Sequence, residues 1–186
     1  MREIALHLLD IAENSVAANA TRVEILVDED LQNDRLKTVV QDNGKGMDEE
    51  LLARVADPFI TSRTTRNVGL GIPLFKAAAE ACNGYFTINS KLGEGTRIET
   101  EFQHSHIDRM PLGDLSGTML HLVIGHPDVH WLFQYQMGDN AFTFDDGPIK
   151  EELGDVPLTE PVILTFLREM LEEGVTRVKR SNIQTF

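Results

Sequence analysis

Asp42 follows an apolar run, Leu36 to Val40, and opens the stretch Asp42-Asn43-Gly44-Lys45-Gly46-Met47. If the run is a buried strand, Asp42 leaves a carboxylate in a pocket floor, able to accept a hydrogen bond from the amino group of a flat base such as adenine. Gly44 and Gly46 would let the backbone turn sharply and approach the base without Cβ interference. An ordinary turn is the competing reading, since Asp-Asn-Gly is strong turn chemistry. Asp10 and Asn14 lie four apart in a segment of helical periodicity and so project from one face. That pair suits a carboxylate that polarises a water beside an amide oxygen that ligates Mg²⁺, against the plainer alternative of two solvated side chains.

Two further glycine clusters follow. The segment from Asp57 carries Thr61, Ser62, Arg63, Thr64, Thr65 and Arg66 and ends Gly69-Leu70-Gly71 directly ahead of a helical pattern. A glycine turn that opens a helix presents free N–H groups and the positive end of the dipole, which suits phosphate, and the hydroxyls and arginines add donors. Gly93-Glu94-Gly95-Thr96 reads as a hairpin, but the Thr96 hydroxyl faces the Asp42 pocket if the two strands are neighbours. Each signal is weak alone; their order along the chain suits a pocket for ATP.

These residues need a helix and a sheet to hold them. Residues 3–19 read as a helix, with Ile4, Leu8, Ile11 and Ala5, Leu9, Ala12, Val16 as adjacent apolar stripes. Arg22 to Asp28 and Leu36 to Gln41 read as an antiparallel strand pair, and Asp48 can cap a short helix. Residues 71–83 read as a helix stopped by Gly84, followed by a hairpin of strands 85–90 and 96–102. Beyond residue 103 the expectation is a polar connection and strand-like segments 118–126, 131–138 and 140–146. A closing helix from Leu158 to Glu173 comes next, capped by Thr159 and ended by Gly174, with a loose tail from Lys179.

Composition narrows the function classes. With 186 residues, 41% of them hydrophobic, the chain can build a packed core, and a formal net charge of −13 repels a nucleic-acid backbone. No apolar run is long enough to cross a membrane and the first residues lack a secretory pattern, so the expected place is the cytoplasm. The single cysteine, Cys82, sits in a helical pattern as a buried thiol rather than a nucleophile. Five histidines between 104 and 130 lack the carboxylate or cysteine spacing of a familiar metal site, and Trp131, Phe133 and Tyr135 alternate as a core-facing strand would.

Taken together, LLDIAENSVAANAT, DNGKGM, DPFITSRTT, GLGIPLFKAAAEACNG and GEGT resemble the boxes of the GHKL superfamily of ATPases and kinases, over roughly residues 3–103. The resemblance implies an α+β fold: a two-layer α/β sandwich, the Bergerat fold, with helices on one face of a mixed, mostly antiparallel sheet. Residues 1–103 would be the ATP-binding domain and 104–186 a C-terminal α/β extension, either integral to the sheet or a partner-binding lobe. It implies ATP and Mg²⁺ as cofactors, with Asp10 as catalytic base and Asn14 as Mg²⁺ ligand. Asp42, Gly44, Gly46, Met47, Thr61, Ser62, Arg63, Arg66, Gly69, Leu70, Gly71 and Thr96 would complete the nucleotide pocket. The base position holds Asp10 where the superfamily often has Glu, one methylene longer. The segment between Phe59 and Gly69 is short, as in histidine kinases and anti-sigma-factor kinases and unlike gyrase, Hsp90 or MutL. The chain starts almost at the first box, so an acceptor for phosphate transfer is expected on another protein. The implied function is ATP hydrolysis or γ-phosphate transfer to a protein partner in signalling or regulation, with a non-catalytic ATP-gated interaction module as the alternative and a homodimer left open. Neither nucleic acid nor membrane is an expected partner.

Overall fold

The computed structural model describes residues 3–55 and 71–183. Twelve elements are described: helix α1 (Ile4–Ala17), strands β1 (Arg22–Asp30) and β2 (Arg35–Asp42), helices α2 (Glu49–Val55) and α3 (Gly71–Ala81), strands β3 (Tyr85–Lys91) and β4 (Gly95–Gln103), helix α4 (Leu115–Gly125), strands β5 (His130–Met137) and β6 (Asn140–Asp145), and helices α5 (Gly147–Leu153) and α6 (Pro161–Ile183). The six strands form one sheet in the order β3-β4-β2-β1-β5-β6. Every neighbouring pair is antiparallel except β1 and β5, which run parallel. This is the expected α+β architecture with a mixed, mostly antiparallel sheet.

Alternation along the strands assigns the faces. Val23, Ile25 and Val27 of β1 pair with Trp131, Phe133 and Tyr135 of β5, and all six are buried. They meet the apolar stripe of α1, where Ile4, Leu8, Ile11 and Ala12 are buried, and the inward residues of α3, α4 and α6. Each large apolar side chain removed from water in this layer contributes about 1.5–3 kcal/mol. Two polar groups enter the core with partners. The Thr38 and Thr100 hydroxyls lie 2.5 Å apart across β2 and β4. The buried Glu29 carboxylate accepts from the Tyr135 hydroxyl at 2.6 Å and lies 2.8 Å from His104 Nε2. Burial first, then this bond to Glu29, pushes the Tyr135 phenol far up, so it stays a neutral donor.

The part beyond residue 103 departs from the sequence reading in three places. Residues 118–126, expected as a strand, fall in helix α4 as far as Gly125, with His126 as its C-cap. Asp114 caps this helix by accepting from Gly117 N at 2.8 Å, and Leu115, Met119, Leu122 and Val123 are buried at helical spacing. Apolar residues at 119, 120, 122, 123 and 124 fit a strand as readily as a helix, which hides one period from the other. The closing helix α6 does not stop at Gly174 and takes in the expected tail as far as Ile183. Gly174 serves close packing instead: a Cβ there would lie 2.4 Å from the Phe142 ring on β6. Thr159 lies two residues before α6 and does not cap it, and α5 follows β6 where no helix was expected. Trp131, Phe133 and Tyr135 face the core as read. Among the described residues no helix is long and apolar enough to cross a membrane.

Candidate functional site

Asp42 ends β2 directly opposite Thr96 of β4, so the two residues inferred to share a pocket are cross-strand partners. Asp42 Oδ1 accepts from Gly44 N at 2.8 Å and Thr96 N at 3.2 Å, and Oδ2 accepts from Ser15 Oγ at 2.8 Å. A carboxylate has about four acceptor positions. Three are filled by the protein and they lock the group's orientation, leaving one on Oδ2 for a further donor.

The turn after Asp42 is fixed from both sides. Asn43 Oδ1 accepts from Thr21 N and Arg22 N, each at 2.9 Å, and Lys45 N donates to Ala18 O at 2.9 Å, tying the turn to the end of α1 and the start of β1. Gly46 has a φ of +64° and Gly95 one of +109°, a region that L side chains enter at a cost. A Cβ at Gly46 would lie 2.0 Å from Lys91 O, and one at Gly95 would lie 2.0 Å from Asp42 O. Both glycines therefore permit the β3–β4 hairpin to close on the Asp42 turn. Ser90 completes it: its hydroxyl accepts from Met47 N at 2.9 Å and lies 2.8 Å from Thr96 Oγ1. An open cleft lined by Asp42, Leu52, Ser90, Lys91, Thr96 and Arg97 lies at this edge.

Asp10 and Asn14 lie one turn apart on α1, both half-buried. Among the described residues the buried Asp10 Oδ2 has no hydrogen-bond partner, and it faces the first residue of α3, where a Cβ on Gly71 would come within 1.6 Å of it. Burial, and secondarily the charge of Glu13, pushes the Asp10 carboxyl above its usual range. His7, one turn earlier, is buried and stacked on Phe75 with ring centroids 4.7 Å apart. Burial and the N-terminal charge lower its pKa to about 4, against a hydrogen bond to the Gly71 backbone that raises it.

The site residues read from the sequence therefore fall into two described groups linked by α1: Asp42, Gly44, Gly46, Met47 and Thr96 around the β2 end, and Asp10 and Gly71 at the start of α3, with Asn14 between. Thr61, Ser62, Arg63, Arg66, Gly69 and Leu70 lie outside the described residues. Sequence reasoning gives no role to Ser15 or Ser90, although both hold the pocket floor. The position of Ser15, one turn after Ile11 and beside Asn14, was the available signal. Three of the five histidines face carboxylates: His104 meets Glu29, His126 meets Glu13 and His130 meets Asp145. His130, Asp145 and Asp146 bring ligand atoms within 4.8 Å of one another, but Lys150 Nζ lies 2.6 Å from Asp146 Oδ2 and already supplies positive charge there.

The architecture defines an α+β fold with helices packed on a mixed six-stranded sheet, and comparison with known proteins gives it a family. Residues 1–106 match the model of the histidine kinase-, DNA gyrase B- and HSP90-like ATPases, and the chain belongs to that family. It is 26% identical over 109 residues to an NtrY-like sensor histidine kinase of Rickettsia conorii, covering 58% of this chain and 18% of that protein. It is 32% identical over 117 residues to the non-motile and phage-resistance protein of Caulobacter vibrioides, covering 58% of this chain and 14% of that protein. The chain thus spans less than a fifth of the length of either relative. The N-terminal domain of a DNA repair protein shares the fold, with a TM-score of 0.52 at 11% identity over 78% of this chain and 52% of that one.

Proposed function

We propose that the protein binds Mg-ATP at the face where α1, the Asp42 turn and the start of α3 converge, and that it hydrolyses ATP or passes its γ-phosphate to a partner protein. The observation that carries this reading is the Asp42 carboxylate, immobilised by Ser15, Gly44 and Thr96 with one acceptor position left over. An acceptor fixed in this way recognises a planar amino group and disfavours a base that presents a carbonyl there, because unpaired acceptors would then face each other.

The fit to Mg-ATP rests on two features of the chain. Gly44, Gly46 and Gly95 keep Cβ atoms out of the Asp42 turn, and the Asp10 oxygen without a partner among the described residues faces the start of a helix. Asn14 would hold Mg²⁺ through its amide oxygen, and Gly71, the first residue of α3, would offer its backbone N–H to phosphate. When bound, Mg²⁺ neutralises charge on the phosphoryl oxygens. Asp10, its pKa raised by burial, is a stronger proton acceptor than an exposed aspartate and would orient the attacking water or hydroxyl. Its side chain is one methylene shorter than glutamate, which suits a nucleophile brought by a partner.

The test is Mg-ATP affinity and phosphate release by wild type, Asp10→Asn and Asp42→Asn. The proposal expects Asp42→Asn to lose affinity by at least about tenfold, the cost of one unsatisfied buried polar contact. Asp10→Asn should bind ATP and turn it over far more slowly. Unchanged affinity in Asp42→Asn would sink the pocket assignment. ATP binding with no turnover, alone or with acceptor proteins, would favour an ATP-gated binding module.

A further inference from the structure

Helix α1, which carries Asp10 and Asn14, is held along its length by residues beyond 103. It has no side-chain cap at its start; Ile4 N donates to Pro111 O at 3.0 Å and Ala5 N to Leu112 O at 2.9 Å. Those carbonyls satisfy two of the N–H groups that a helix leaves unpaired. Helix α4 then packs alongside α1. Just past the end of α4, His126 Nε2 lies 3.0 Å from both carboxylate oxygens of Glu13.

Glu13 immediately precedes Asn14 and is three residues, one helical turn, from Asp10, close enough for its charge to raise the Asp10 pKa. Its side chain is 41% exposed, so without a partner it would sample rotamers on the Asp10 side of the helix. Negative charge there opposes a polyphosphate and competes with Asn14 for a divalent cation. The imidazole that meets Glu13 is itself held from behind. Trp131 Nε1 donates to His126 O at 3.2 Å, and the two rings sit 6.4 Å apart with Trp131 fully buried.

We infer that His126 is a positioning residue for the nucleotide site: it fastens the Glu13 carboxylate to the corner between α4 and β5 and so fixes where its charge lies relative to Asp10 and Asn14. The inference rests on the Mg-ATP reading above. It assigns the segment beyond residue 103 a part in nucleotide affinity, through hydrogen bonding rather than contact with the nucleotide.

The experiment is calorimetric titration with Mg-ATP of wild type, His126→Ala, His126→Gln, Glu13→Gln and the Glu13→Gln/His126→Ala double variant. Trp131 emission reports whether the corner stays folded. His126→Ala should weaken Mg-ATP about three- to fivefold, the scale of one partly exposed hydrogen bond to a carboxylate. His126→Gln, which still donates an N–H, should stay near wild type, and in the Glu13→Gln background loss of His126 should change affinity little. An equal loss with and without the Glu13 carboxylate would make His126 a packing residue and overturn the inference, as would unaltered affinity in His126→Ala. A wild-type protein without measurable Mg-ATP affinity would overturn the nucleotide reading and this inference with it. That failure shows before any variant is compared.

Discussion

Replacing Asp10 with asparagine should make the nucleotide-free protein more stable. Oδ2 of Asp10 is buried beside Gly71 without a partner among the described residues, with Glu13 adding negative charge one turn away. An unpartnered buried acceptor costs about 1–3 kcal/mol, and the partial exposure of this side chain puts the expected gain at the low end, about 1 kcal/mol. For a chain of this length that corresponds to a rise in Tm of about 2–4 °C. The pH dependence gives a second readout. Because the native pKa is raised above the ordinary 3.8, the folded state holds this proton to higher pH than the unfolded chain does. The group's stabilising contribution is therefore complete below pH 3.8 and is lost as pH rises through the native pKa. The gap between Asp10→Asn and wild type should accordingly be absent in acid and widen toward neutral pH. Thermal unfolding followed by circular dichroism from pH 4 to 8 measures this directly. A variant less stable than wild type at neutral pH, or a gap that does not grow with pH, would refute the burial argument. The same substitution should abolish turnover, so stability and activity would move in opposite directions, as expected of a strained functional group.

Three other outcomes are expected. His7 has its pKa lowered to about 4, so its contribution to stability is present above its ordinary 6.5 and is lost as pH falls toward 4; His7→Gln should flatten that portion of the stability profile in urea titrations. Thr38→Val alone should cost about 1 kcal/mol by stranding the Thr100 hydroxyl, whereas Thr38→Val with Thr100→Val should cost less than the two single changes together, measured as a double-mutant cycle. Tyr135→Phe should lower stability by about 1–3 kcal/mol by removing the donor to buried Glu29, seen as a Tm drop of several degrees.

How far the molecule could be read from its residues varies along the chain. Strand and turn chemistry around Asp42 is local, and the glycines with positive φ mark their turns directly, so the Asp42 turn and the β3–β4 hairpin were legible. The pairing of Asp42 with Thr96 followed once the strands were taken as neighbours. Helix α4 was not legible, because apolar residues at 119, 120, 122, 123 and 124 fit either period; the informative residue was Asp114, a capping position outside that run. Gly174 misled for a related reason. It lies well inside α6, where it makes room for the Phe142 ring, and that contact with β6 is not visible in the local sequence. Ser15 and Ser90 went unseen because their roles exist only after α1 and β3 converge on the Asp42 turn.

The parallel pairing of β1 with β5 has a consequence for how the chain reaches its native state. Ile25 pairs directly with Phe133, about a hundred residues further along, and the core face the two strands share is incomplete until both are present. Such distant pairings carry a loop-closure cost before any burial compensates, so they slow folding. On a ribosome, β1 would emerge with its β2 partner but with its other edge bare, exposing Val23, Ile25 and Val27 until residue 137 had been synthesised. An excised piece ending near residue 103 would keep that open apolar edge permanently, with Glu29 stripped of Tyr135, and association of such fragments through β1 is the expected result.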